Sequence, residues 1–187
     1  MAAPLTRRDA SKLLLELYDA SHPEEQKMAL AMITAAHLIG HRDSVPAIAK
    51  AGAIAQLVHL LKTSSQAKIK ELEAAALACL AKHASLVGTV TTAGAIPPLL
   101  QLLGASSPPE VQQAAAVTLA TVIQNTEHFS IVEIFTSAGG GPLLKRALGP
   151  GSPAGVQTNA ATTLRYLAHN SESAVSIAAA GAIPLLV

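Results

Sequence analysis

An all-α fold built from repeated three-helix units is what this sequence predicts, and three observations carry that expectation. Near-copies of one segment recur along the chain: "AGAIAQLVHLL" (51–61), "AGAIPPLLQLL" (93–103), "AGGGPLLKRAL" (138–148) and "AGAIPLLV" (180–187). Their glycines, Gly52, Gly94, Gly139 and Gly181, stand 42, 45 and 42 residues apart, a period that marks stacked units rather than one closed core. The apolar half of the composition is mainly Ala, Leu, Ile and Val, with Tyr18, Phe129, Phe135 and Tyr166 as the aromatic residues, and this is helix-forming material.

Each unit can be justified element by element. A stretch such as "SLVGTVTTA" (85–93) predicts a short first helix, and the glycine after it supplies a sharp turn that a side chain would disfavour. Pro97, Pro142 or Pro184 then falls in the first turn of a second helix, where no N–H needs an acceptor. Ile96, Leu99, Leu100, Leu102 and Leu103 give that helix a wide apolar face, and the polar "GASSPPE" (104–110) ends it. The third helix, "VQQAAAVTLATVI" (111–123), puts Val111, Ala115, Leu119 and Val122 on one stripe. The register holds between units: Leu61, Leu103 and Leu148 lie nine residues after their glycines, and Ile69, Val111 and Val156 eight residues further on.

The chain therefore divides, within a single domain spanning 1–187, into a partial repeat (1–50), repeats 51–92, 93–137 and 138–179, and a truncated repeat (180–187). Leu13 to Ala49 is expected to supply the last two helices of the partial unit. The middle repeat is longer by three residues, because Val111 to Gly139 spans 28 where Ile69 to Gly94 spans 25. The extra residues are placed around "QNTEHFSIVEIF" (124–135). Gly141 stands where other copies have an apolar anchor, so a loosened junction is expected there. A phosphate-binding loop is not expected, since the stretch follows a helix and lacks a GK[ST] ending.

A period of ~42, three helices, a glycine break before the second and the signature "GAIPPLLQLL" resemble the armadillo repeat. The resemblance covers three whole repeats and a part at each end. Periods of about 33 or 34, typical of ankyrin and tetratricopeptide arrays, fit nowhere, and two-helix HEAT units lack this glycine and proline pattern. The resemblance implies a right-handed α-solenoid whose third helices line a concave groove for an extended peptide or a partner protein. In that family a Trp and, four residues on, an Asn often hold the ligand; here those positions are Ala75, Val117 and Thr162, and Cys79, Thr121 and Tyr166, so neither ladder is present. The groove residues expected from the alignment are Glu71, Cys79 and Lys82, then Gln113, Val117, Thr121 and Gln124, then Thr158, Thr162, Tyr166 and His169. Tyr166 is the expected aromatic anchor of a nearly neutral surface.

Charge and composition narrow the partners. Thirteen basic against 12 acidic residues leave a net charge of +1, which gives no field for nucleic acid or an anionic membrane. Cys79 is the one cysteine, which argues for a reducing compartment, and no apolar run of ~18 residues or secretory h-region is seen. A cytoplasmic or nuclear protein is expected. The seven histidines form no HExxH, no metal-ligand spacing appears and Cys79 has no adjacent activating partner, so no enzyme, cofactor or metal is expected. The expected function is a protein-interaction scaffold. Alternatives are the substrate-recognition region of a larger U-box ubiquitin ligase and, less favoured because only Glu71 supplies acid, a nuclear-import adaptor. The incomplete C-terminal end is expected to self-associate, because "AGAIPLLV" is too short to cover the last apolar face.

Overall fold

The computed structural model describes residues 52–126 and 130–168, and among these every regular element is an α-helix. The partial repeat 1–50, the truncated repeat 180–187 and the self-association assigned to it lie outside the described residues. In chain order the helices are α1 (Ala53–Thr63), α2 (Ala67–Ala81), α3 (Ala84–Thr92), α4 (Ile96–Leu102), α5 (Pro109–Gln124), α6 (Ser130–Ser137), α7 (Gly140–Ala147) and α8 (Ala154–Leu167). They follow the expected short, second and long third pattern, forming an α-solenoid. The long helices α2, α5 and α8 lie side by side with α5 in the middle, while α1, α4 and α7 pack against the third helix of their own units.

The apolar periodicity explains which face each helix buries. Ile54, Leu57, Val58 and Leu61 form an i, i+3, i+4, i+7 stripe on α1, and all are buried. On the third helices the small residues do the spacing: Ala74, Ala76, Ala78 and Ala81 on α2 and Ala115, Ala116 and Ala120 on α5 are buried, which lets long helices approach closely. Leu77, Leu119 and Leu164 recur at the same register and fill the centre of one continuous core. Polar groups tie the units together as well. The buried Thr118 hydroxyl lies 2.7 Å from both the Ala74 and the Ala114 carbonyl oxygens, and Asn125 donates to the Ala81 carbonyl at 3.2 Å, so α5 satisfies an otherwise unpaired acceptor at the end of α2.

The repeated glycines are needed for their backbone angles. Gly52, Gly94 and Gly139 have φ of 94°, 77° and 72°, and no other described residue has positive φ. Gly94 closes α3 in a Schellman arrangement: its N–H donates to the Thr91 carbonyl at 3.0 Å, and the Ala95 N–H reaches back to Val90 at 3.4 Å. A Cβ on Gly94 would meet only the Lys62 Nζ, at 3.6 Å, so left-handed geometry rather than crowding excludes side chains. Gly94→Val is accordingly expected to cost ~1–3 kcal/mol. Gly151→Val, at an open loop position with no positive φ, should leave the urea midpoint nearly unchanged. Equal midpoints for the two variants would refute the turn assignment.

The three extra residues of the middle repeat fall where the spacing placed them. Residues 125–129 separate α5 from α6, against 82–83 between α2 and α3. The expected loosened junction is not found at "AGGGP". The buried Phe135 ring packs onto Gly140, where any Cβ would run into it. At the equivalent register of the preceding unit stand Val90, Ala95 and Ile96, so a larger side chain on α6 compensates for the smaller Gly140 and Gly141 on α7. The connection from second to third helix is also built twice alike. Gln112 donates to the Gly104 carbonyl at 3.1 Å and to the Ser107 carbonyl at 2.8 Å, and Gln157, 45 residues later, donates to the Gly149 carbonyl at 2.8 Å.

Candidate partner-binding surface

Residues at i, i+4, i+8 and i+11 share one side of a helix, and each third helix turns that side away from the core. On α2, Glu71, Ala75 and Cys79 are half-buried and Lys82, just past the last turn, is exposed. On α5, Gln113, Val117 and Thr121 are half-buried and Gln124 is exposed. Thr158 on α8 is exposed, with Thr162 and Tyr166 half-buried. Because α2, α5 and α8 pack side by side, these sets make one continuous strip. His169 lies outside the described residues.

The hydrogen-bonding capacity of the strip is unevenly distributed. Thr121, Thr158 and Thr162 each donate their hydroxyl proton to the carbonyl four residues back, at 2.8, 3.0 and 2.9 Å, which leaves them as acceptors. Gln113 and Gln124 have no side-chain hydrogen bond among the described residues and keep both donors and acceptors available. The Gln113 carboxamide lies against Gly155 at the start of α8, where a Cβ would collide with it, so this side chain spans the junction between two third helices.

Charge is sparse. The Glu71 carboxylate takes the Lys68 ammonium at 2.8 Å from both oxygens, so the one acidic residue of the assigned set is neutralised within its own helix. Lys68 is a neighbour that sequence reasoning missed, although its i, i+3 spacing from Glu71 was legible. The exposed Lys82 and Arg165 remain. The Arg165 guanidinium stacks over the Tyr166 ring, 4.4 Å from its centroid, and occupies one face of the only aromatic residue on the strip. Burial pushes the Cys79 thiol above its ordinary pKa, with Lys82 opposing only in part, so the thiol is protonated at neutral pH and is a weak nucleophile. Among the described residues no cluster of His, Cys, Asp or Glu could hold a metal ion, and no helix is long and apolar enough to cross a membrane.

Lys145 and Arg146, expected on the opposite surface, are both exposed, and the Arg146 Nη2 also donates to the Leu103 carbonyl at 3.0 Å, joining α7 to the end of α4. The carbonyl at a helix end lacks an intrahelical donor, and a cation there is favoured electrostatically as well.

Comparisons with known proteins agree with this geometry. The family model for the Armadillo/beta-catenin-like repeat matches residues 86–121, which run from α3 into the third helix of the middle unit. No curated protein matches the chain. An engineered protein solved by the Northeast Structural Genomics Consortium superposes with a TM-score of 0.84 at 29% identity, over 96% of this chain and 72% of that one. A designed armadillo repeat protein gives the same TM-score of 0.84 at 26% identity, over 96% of this chain and 73% of its own. Another designed armadillo repeat protein, in complex with the peptide (KR)4, has a TM-score of 0.84 at 23% identity and covers 95% of this chain and 72% of its own. The family match falls on the unit whose glycine turn, helix order and third-helix stacking are repeated on either side, so residues 86–121 are similar to an armadillo/beta-catenin-like repeat and the described helices share the fold of designed armadillo repeat proteins.

Proposed function

We propose that this protein is an interaction scaffold that binds an extended peptide segment, or a partner presenting one, along the concave groove formed by α2, α5 and α8. The observation that carries the reading is the register-equivalent, solvent-facing strip running unbroken over three stacked third helices. The peptide complex of a designed relative supports use of the fold for binding segments. Charge favours a different ligand from the basic (KR)4 peptide. Glu71 is already paired, and Lys82 and Arg165 add positive potential, so a neutral or mildly acidic segment suits this groove better. Gln113 and Gln124 supply two-way hydrogen bonding to such a backbone, the threonine oxygens accept from its N–H groups, and Tyr166 offers its remaining surface for packing. The proposed role is a non-enzymatic one inside the cell, in cytoplasm or nucleus, where a single unpaired cysteine suits a reducing compartment.

Peptide display against the purified chain, followed by calorimetry with the selected sequence, tests the reading. Tyr166→Ala combined with Gln124→Ala is expected to weaken binding by ~1–3 kcal/mol, the range of an interface anchor, with little change in melting temperature. Lys145→Ala should leave affinity unchanged, and (KR)4 should not compete. Selected peptides that bind the double variant as tightly as the parent would place the site elsewhere.

A further inference from the structure

The third helices carry buried alanines at one core-facing position, Ala115 on α5 and Ala160 on α8, yet the equivalent residue on α2 is Glu73. Its exposure is 0%, and neither carboxyl oxygen has a hydrogen-bond partner. An ionised carboxylate held without water or partners is strongly disfavoured, and a neutral carboxyl much less so.

We propose that Glu73 is a proton-operated latch on α2: the protonated side chain lets the helix stay seated in the core, and loss of the proton weakens that seating. The flanking residues Glu71, Ala75 and Cys79 supply the first rung of the groove, so unseating α2 would alter the surface offered to a partner. The latch itself does not depend on the peptide-binding reading.

The surroundings leave ionised Glu73 little help. Of the described helices packed on α2, α3 carries no charged residue, α1 carries the exposed His59 and Lys62, and α5 carries the exposed Glu110 in its first turn. The half-buried His83 sits at the start of α3, and on α2 itself stand Lys68, Lys70, Glu71, Cys79 and Lys82. Burial pushes the Glu73 carboxyl up to about 8 from an ordinary 4.5, and Lys70 opposes this only in part. Folding therefore takes up a proton between these two values. The contribution is fully present below pH 4.5 and is lost as pH rises to about 8.

Thermal melting of the full chain, Glu73→Gln and Glu73→Ala over a pH series tests this. The glutamine variant keeps the shape of the protonated acid, and the alanine variant adopts the residue of the other units. Both should melt near the parent at about pH 5 and above it by several degrees at about pH 8.5. Histidine titrations are common to all three chains and cancel in the differences, which leaves the titration of position 73 and the one charge it carries. Hydrogen exchange in the parent should show α2 amides opening faster with rising pH than the intrinsic exchange rate requires, with α8 amides following the intrinsic rate. A melting difference between each variant and the parent that is constant over the series, or an equal pH response in α2 and α8, overturns the proposal.

Discussion

Leu119→Ala is expected to lower stability by ~2–5 kcal/mol, with a full effect on the central unit. Leu119 has 0% exposure and lies on the middle third helix, which packs against both α2 and α8. Truncation removes apolar burial and leaves a cavity that the neighbouring helices, already close through their alanines, have little room to refill. Leu103→Ala, at the end of α4 where the backbone can shift, should fall towards the lower part of the same range. Stacked repeats gain stability from their neighbours, so weakening the central unit uncouples the flanking ones. Urea unfolding followed by circular dichroism should show a lower midpoint and a broader transition for Leu119→Ala. An unchanged midpoint would mean that α5 is not the central element of the core.

Much of this arrangement was legible because it depends on backbone angle and helical period. Gly52, Gly94 and Gly139 announced themselves by spacing, and their positive φ explains why the residue recurs. The long helices and their outward faces followed from the 3.6-residue period, and the three-residue surplus of the middle unit was assignable to one connection. Features that depend on which side chains meet across units were not legible in the same way. A single Glu at position 73 sits on a stripe with Ile69, Leu77 and Leu80, a conflict visible in the pattern, but burial of both oxygens without a partner required coordinates. Arg146 reads as a solvent-facing cation from local sequence, and its acceptor on Leu103 lies 43 residues away. Likewise, threonines on the candidate surface look like general hydrogen-bonding groups until their protons are traced to their own helix.

The same reasoning makes Phe135 and Gly140 a pair whose single substitutions should each be costly and whose double substitution should recover much of the loss. Gly140→Ala places a methyl group in the Phe135 ring, and overpacking of this kind costs ~1–3 kcal/mol, offset in part by the better helix propensity of alanine. Phe135→Val empties the space over Gly140 and should cost about 2–3 kcal/mol, below the ~3–5 kcal/mol of complete truncation to alanine. Together the two changes restore the Val and Ala found at positions 90 and 95 of the preceding unit, and the methyl group then fills part of the space the ring vacated. A double-mutant cycle by urea denaturation should give a coupling energy of ~1–3 kcal/mol favouring the double variant over the sum of the singles. Full recovery is not expected, because Gly141 still lacks the side chain that Ile96 provides in the preceding unit. Additive single effects would show that the two residues act on separate parts of the core, and that the bulk of Phe135 does not compensate for the glycines of α7.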